Sequence, residues 1–292
     1  MSTDLPVVVG FDGSPQSVKA VAWAAGDAAR RGRVLRVVHA LQWPPAYGPS
    51  PVPVPAPYED GVLRAAEQIL ADGVTRARAV APGLSVTGDL PLRQPAAALV
   101  AASERAGVVV VGHRGRGGFA GLLLGSVGVE LAAHAACPVV VVRRTEVPAG
   151  ADAGRIIVGV DGFHDAAHTL RFAFEQASYR KAAITAVHAY LWPSSSGPGD
   201  MLPLVYDPDN LREEEHRALC ESMGGWAENY PDVGVRHAVI RGRASAVLTE
   251  LSAGAELLVV GSRGRGGFTG LLLGSVSQAA IHHAACPVAV VR

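Results

Sequence analysis

The segment GHRGRGGFAGLLLGSV, residues 112–127, returns almost unchanged as GSRGRGGFTGLLLGSV, residues 261–276. A packed core tolerates many apolar exchanges of similar volume, so burial alone does not require so close a match. Adding 149 to a residue number maps one half of the 292-residue chain onto the other: Asp12 onto Asp161, His39 onto His188, Trp43 onto Trp192, Cys137 onto Cys286. Between 112–143 and 261–292, 23 of 32 positions are identical. A period near 150 residues is a duplicated domain rather than a solenoid repeat. The expected domains are residues 1–144 and 154–292. They join through RTEVPAGADAGR (144–155), whose Pro, Gly and Ala suit a linker.

Each half reads as alternating strands and helices. In the first, LPVVVG (5–10) is a buried strand run. Ser14 and Pro15 are an N-cap and a first helical position, and the helix they open stops at Gly32. RVLRVVHA (33–40) is the second strand, and a proline-rich loop from Trp43 precedes a helix over about 58–80. LSVTGDL (84–90) is the third strand and PAAALVAASERAG (95–107) the third helix. VVVVG (108–112) is the fourth strand. A helix from Ser126 to about Ala136 and the strand PVVVVR (138–143) close the unit. The expectation is an α/β protein of two tandem doubly wound open sheets, mostly parallel, five strands each, in the order 3-2-1-4-5. Ligands of such sheets bind beyond the carboxyl ends of the strands, where the strand order reverses. Asp12 follows strand one there, and the glycine-rich loop follows strand four.

Composition narrows the setting. The formal net charge is zero, so nothing draws the chain as a whole to nucleic acid or an anionic membrane. Residues 119–142 are long and mostly apolar, but Glu130, His134 and Pro138 interrupt them. A helix followed by a buried strand accounts for them better than a membrane span. Three cysteines, Cys137, Cys220 and Cys286, make no disulfide framework and fit a reducing, cytoplasmic setting.

The glycine-rich loop carries the chemistry. Glycine accepts positive φ and lets a ligand approach the backbone. Here Gly112 ends a strand, Gly115, Gly117 and Gly118 follow, and Gly125-Ser126 opens a helix. Free N–H groups at a helix start attract an anion, and successive loop N–H groups can add an anion nest. Arg114 and Arg116 can pair with phosphate oxygens. Ser126 can cap the helix or offer its hydroxyl to a phosphate. The second copy supplies Gly261, Arg263, Gly264, Arg265, Gly266, Gly267, Gly274 and Ser275. No Walker sequence G-x-x-x-x-G-K-[ST] is present. Residues 115–120 fit a dinucleotide G-x-G-x-x-A, but they follow the fourth strand rather than the first, and Thr269 breaks the pattern in the second copy.

The strand followed by VGFDGS (9–14), the spacing G-x-x-G-x9-G-S at 112–126, VGVDGF (158–163) with the same spacing at 261–275, and the ending ACPVVVVR resemble the universal stress protein family. The resemblance spans essentially the whole chain, in two tandem copies, and the glycine motif is the variant of ATP-binding members. It implies one ATP site per half, with Mg2+ as an admissible companion. Asp12 and Asp161 would lie near the nucleoside, although a turn residue before a helix is the competing reading. The backbone of Ala40 and Ala189 would meet the adenine. Gly112, Gly115, Gly125, Ser126 and Val127, and in the second half Gly261, Gly264, Gly274, Ser275 and Val276, would hold ribose and phosphates. Gly10 and Gly159 would leave room for the nucleotide. Phe163 stands where Ser14 caps the first helix, so another residue, such as Asp165, has to cap the second. Alanine at Gly112 and Gly261 is expected to weaken ATP binding with little loss of fold.

The expected function is an ATP-binding regulator acting through ligand-dependent conformation or partner binding. A slow ATP hydrolase and a nucleotide-free partner-binding module are the alternatives. No catalytic residue is assigned: there is no P-loop lysine, second acidic motif or placed base. His39 and His188 read as satisfied strand histidines. His134 and His283 read as helix C-terminal residues, Cys137 and Cys286 as small buried hydrophobes. No metal site is expected, because no convergent ligands show in the spacing. The apolar fifth strands would be exposed edges, which invite pairing of the two copies about a pseudo-twofold axis; a homodimer and protein partners complete the expectation.

Overall fold

The structure, a computed structural model, describes residues 5–42, 56–116, 125–143, 153–161, 166–191, 208–264 and 272–292. The chain divides into two compact units, Met1–Arg143 and Arg144–Arg292.

In the first unit the elements run β1 (Val7–Gly10), α1 (Pro15–Arg31), β2 (Leu35–Val38), α2 (Ala56–Val80), β3 (Val86–Asp89), α3 (Pro95–Ser103), β4 (Val108–Gly112), α4 (Ser126–His134) and β5 (Val139–Val142). The strand order is β3-β2-β1-β4-β5, with every neighbouring pair parallel. Val7 sets the register, opposite Leu35 on one side and Val108 on the other. A parallel sheet is covered on both faces, so its strands lose the polar alternation. Val7–Val9, Val108–Val111 and Val139–Val142 are accordingly buried throughout. Helices α1 and α2 pack together, as do α3 and α4. The stretch weighed as a membrane span contains α4 and β5, and no described helix is long and apolar enough to cross a membrane.

The second unit runs β6 (Ile156–Gly159), α5 (Ala167–Arg180), β7 (Ile184–Tyr190), α6 (Pro208–Ser222), α7 (Trp226–Asn229), β8 (Val235–Arg241), α8 (Ala244–Leu251), β9 (Leu257–Gly261), α9 (Ser275–His283) and β10 (Val288–Val291). Its parallel order, β10-β9-β6-β7-β8, repeats the first unit's. One helix differs. The continuous α2 is matched by two pieces, α6 and α7, separated at Gly224-Gly225, where Gly225 takes φ 77°. Trp226 and Tyr230 then lie 5.5 and 5.4 Å from the ring of buried Phe174, fastening α7 to α5 through an aromatic cluster.

Local rules explain the termini of α1. The Ser14 hydroxyl accepts from the Ser17 N–H at 3.2 Å, Pro15 takes the first helical position, and Gly32 ends the helix in the left-handed region at φ 62°. The second unit needs the same left-handed turn but carries Lys181 there, at φ 53°. The cap proposed for α5 at Asp165 lies outside the described residues; Ala166 precedes the helix without a side-chain cap.

Helix α3 is shorter than the expected 95–107. It stops at Ser103, and the Gly107 N–H turns to the Pro6 carbonyl at 2.9 Å to enter β4. The buried Ser103 hydroxyl donates to Val100 O and accepts from the Ala136 N–H at 2.9 Å. Ser252 does the same between Thr249 O and the Ala285 N–H. The repeated Ala-Cys-Pro before each last strand is therefore tied to the end of the neighbouring helix, α3 in the first unit and α8 in the second.

Two substitutions test these termini by chemical denaturation of the full chain. Lys181→Gly relieves a side chain in the left-handed region and is expected to raise stability by about 1 kcal/mol; a loss would contradict the strain. Ser252→Ala leaves the Ala285 N–H without its partner and is expected to cost about 1 kcal/mol.

Candidate functional site

The strand order places the carboxyl ends of β1 and β4 side by side, Val9 opposite Val110, with β2 and β5 on the outer flanks. The loops that leave β1 and β4 meet through Asp12. Its Oδ1 accepts from the Ser14 N–H at 3.0 Å and its Oδ2 from the Arg116 N–H at 2.7 Å. The Asp12 N–H donates to the Ser17 hydroxyl at 3.4 Å. Gly13 makes the turn between these groups at φ 79°.

Burial pushes the Asp12 carboxyl up, but bonds from Ser14, Arg116 and Ser17 outweigh it and hold the group below the ordinary aspartate value of 3.8. Asp12 is thus an anchored anion. Its carboxylate keeps lone pairs for an outside donor, since two N–H groups use only part of its accepting capacity. Both readings of Asp12 in the sequence, turn residue and ligand acceptor, are compatible with this geometry.

The glycine-rich loop is closed at its ends. The Gly125 N–H donates to His113 O at 2.8 Å, and Gly274 repeats this to Ser262 O at 2.8 Å. In the second unit the buried Ser277 hydroxyl also donates to Ser262 O. Helices α4 and α9 start at Ser126 and Ser275, and no side chain among the described residues caps them. The hydroxyls of Ser126 and Ser275 are exposed, Val127 and Val276 half-buried behind them. The first-turn N–H groups are therefore not satisfied by a cap, which is the arrangement that favours an anion. Arg114 holds its Nε buried without a hydrogen-bond partner among the described residues. Arg116 and Arg263 are exposed at the loop start. Gly117, Gly118, Arg265, Gly266 and Gly267 lie outside the described residues, as do Trp43 and Trp192.

Beside this junction a cavity of about 750 Å³ opens against α2, lined by Gly13–Gln16, Ala65, Gln68, Ile69, Asp72, Gly115 and Arg116. The volume lies within the range of small-molecule pockets. Ala40 follows β2. Backbone bonds there alternate sides: Phe11 N–H donates to Val38 O, then His39 N–H to Asp89 O and Leu41 N–H to Pro91 O. Alternation turns the Ala40 amide back toward the β1 side, above the end of that strand. Ala189 sits within the longer β7, opposite Ile240.

The glycines divide into kinds the sequence did not separate. A Cβ at Gly115 would stand 2.6 Å from Asp12 Oδ2, so this glycine makes the loop junction. In the second unit the corresponding Gly264 position lies 3.7 Å from Asp161 Oδ2, the same juxtaposition with more room. Gly112 has a packing role the sequence did not show. Its Cβ would meet the Gln16 backbone at 2.7–2.8 Å, so Gly112 lets α1 cross the end of β4. At Gly261 the nearest atom is Arg263 O at 3.1 Å. Gly10 and Gly159 were expected to leave room for a ligand; the space beside them is filled by Leu99 (2.9 Å) and its counterpart Leu248 (2.8 Å).

The matched histidines hold backbone. His39 Nδ1 lies 2.8 Å from Phe11 O and His188 Nδ1 2.9 Å from Val160 O. Among the described residues only His188 has a carboxylate on its other nitrogen, Glu215 at 2.8 Å. His134 and His283 fall in the last turns of α4 and α9, where partial positive charge is favoured. His113, in the loop itself, is held below its ordinary value by burial together with Arg143, Arg114 and Lys19, against its bond to Val142 O. Cys137 and Cys286 are buried, and burial pushes the Cys137 thiol up to about 12. One grouping was missed: His216, Cys220 and His237 converge in the second unit. The signal was present as H-x3-C, one turn apart on α6, but its third member comes from another element.

These features define a class: two α/β units, each with an acidic turn and a closed glycine loop at the switch point of a parallel sheet. The model of the universal stress protein family matches residues 5–143 and 153–292, and the chain belongs to that family. Universal stress protein Rv2005c of Mycobacterium tuberculosis is 40% identical over 292 residues, covering 98% of this chain and 96% of that protein. Universal stress protein Rv1996 of the same organism is 37% identical over 311 residues, covering 99% and 96%. A universal stress protein of Archaeoglobus fulgidus aligns over 99% of this chain and 97% of its own, with TM-score 0.68 and 21% identity, a likeness of fold.

Two measurements check the local geometry. Gly112→Ala is expected to destabilise the chain by about 1–3 kcal/mol, because the added methyl meets backbone rather than a movable side chain; loss of ligand affinity at unchanged stability would contradict this packing role. The folded pKa of Asp12 lies below its unfolded value, so the stability it contributes is present above 3.8 and is lost as pH falls through the folded value. Asp12→Asn is expected to be less stable than wild type at neutral pH, with the difference closing only below about pH 4.

Proposed function

We propose that each unit binds one adenine nucleotide, ATP, at the junction of its first and fourth strands, and that the protein acts as a nucleotide-dependent regulator. The observation that carries this reading is the Asp12 carboxylate, fixed against the glycine loop at Arg116 beside a cavity large enough for a nucleotide. An acidic acceptor on the nucleoside side and uncapped N–H groups on the phosphate side match the two ends of such a ligand. In the first unit Asp12 would receive a ribose hydroxyl and the Ala40 backbone the adenine edge. Gly115, Gly125, Ser126 and Val127 would surround the phosphates, with Arg114 and Arg116 supplying charge. Asp161, Ala189, Gly264, Gly274, Ser275 and Val276 would repeat this in the second. The choice of adenine rests on the resemblance carried by VGFDGS and G-x-x-G-x9-G-S.

Gly112, Gly10 and Gly159 also shape the packing around the ligand site. Mg2+ would accompany the phosphates. ATP changes the protein's behaviour only if it binds two conformations, or two states of partner association, with different affinity. A homodimer or a protein partner would read that difference.

Titration calorimetry on the full chain tests the reading. Wild type is expected to take two ATP per chain. Asp12→Ala is expected to lower the count toward one, and Asp12→Ala with Asp161→Ala to abolish binding in the measurable range. An unchanged count in the double variant would overturn the assignment of the acidic turn. At an ATP concentration about 100 times Kd, occupancy of one site should stabilise the fold by about 2.7 kcal/mol.

A further inference from the structure

The duplication supplies an internal control for any feature found in one unit alone. The convergence of His216, Cys220 and His237 is such a feature. His216 and Cys220 lie one turn apart on α6, which packs on β8, and His237 comes from β8 itself. Subtracting 149 gives Glu67, Ala71 and Gly88 in the first unit, which offer no thiol or imidazole. The correspondence holds in space, because Leu70 fills the space beside Gly88 and its counterpart Leu219 is buried next to Cys220.

Helix geometry alone brings residues four apart within reach, so the pairing of His216 with Cys220 is unremarkable by itself. The informative contact is the third. His216 Nδ1 and His237 Nδ1 each lie 3.6 Å from Cys220 Sγ, and the three ligand atoms fall within 4.8 Å of one another. A tetrahedral ion about 2.3 Å from sulfur and about 2.0–2.1 Å from imidazole nitrogen sets those atoms about 3.5 Å apart. Both sulfur–nitrogen separations thus match those of a tetrahedral ion, and the third pair, nitrogen to nitrogen, lies within 4.8 Å.

We propose that His216, Cys220 and His237 form a Zn2+ site with an open fourth position, fastening α6 to β8 in the second unit only. A thiolate with two imidazoles suits a borderline-soft ion and disfavours Mg2+ and Ca2+, which take oxygen ligands. His216 and His237 are exposed and Cys220 is half-buried, so an ion reaches the site from solvent and water completes the shell. This site is separate from the proposed nucleotide sites and stands without them.

Co2+ is the probe, added to tag-free full-length protein freed of metal by chelator. One equivalent is expected to bind per chain and to show the near-ultraviolet charge-transfer band of a cobalt thiolate together with the strong visible bands of a tetrahedral ion; Zn2+ displaces it. Cys220→Ala is expected to abolish the charge-transfer band. His237→Ala and His216→Ala are expected to weaken Co2+ binding at least about tenfold each. The other two cysteines are buried and serve as controls: Cys137→Ala leaves the spectrum unchanged. Zn2+ should also raise the melting temperature of wild type and leave Cys220→Ala unmoved, while circular dichroism confirms that the variants fold. Absence of the thiolate band, or binding that survives Cys220→Ala unweakened, overturns the proposal; the latter would place the ion elsewhere, as at the neighbouring His282 and His283.

Discussion

A single carboxylate organises the site. Asp12 accepts one N–H from its own turn and one from a loop 104 residues further along the chain. That bridge forms only because the strand order sets β1 beside β4, so that both loops leave the sheet at the same edge. It also imposes the glycine at 115, where any side chain would stand on the carboxylate oxygen. The bonds that fix Asp12 favour its charged form and outweigh the cost of its burial. The proposed ligand chemistry follows from this: a fixed acceptor on one side, and on the other a loop whose ends are tied and whose helix begins uncapped.

The two units share that scaffold and differ where packing leaves freedom. Asp27 on α1 pairs with Arg31 in the first unit, while Gln176 and Arg180 make a hydrogen bond at the matching positions and Arg180 reaches Glu256. Both arrangements place an acceptor for the arginine one helical turn before it. Gly32 and Lys181 reach the same left-handed turn with different ease. The matched histidines, His39 and His188, are bonded to backbone in both units, but among the described residues only His188 is also held by a carboxylate, that of Glu215 on α6. Further departures lie on α6, where the second unit carries Glu215, His216 and Cys220 in place of Ala66, Glu67 and Ala71. The second unit thus carries thiol and imidazole groups on this helix where the first has none.

Much of this was legible in the sequence because local and periodic signals agree. The valine runs of β1, β4 and β5 belong to strands buried on both faces, and Ser14-Pro15 and Gly32 mark the ends of α1 by rules that act within a few residues. The strand order followed from where Asp12 and the glycine loop had to meet. What stayed hidden depends on contacts between distant elements. The sequence shows that residues 10, 112 and 159 are glycine, but not that Leu99, the Gln16 backbone and Leu248 occupy the space beside them. Nor does it show that Ser103 ends α3 early by reaching Ala136. The His216–Cys220–His237 grouping was missed for the same reason, since β8 brings the third ligand from 17 residues beyond the second.

The proposed function requires the acidic turn and glycine loop of each unit together to hold a nucleotide. Equilibrium dialysis of the intact protein against radiolabelled ATP with Mg2+ tests it most directly. Two ATP bound per chain at saturation is the predicted result. No bound ATP at millimolar concentration would contradict the claim, and the glycine loops would then serve only to close the turns between β4 and α4 and between β9 and α9.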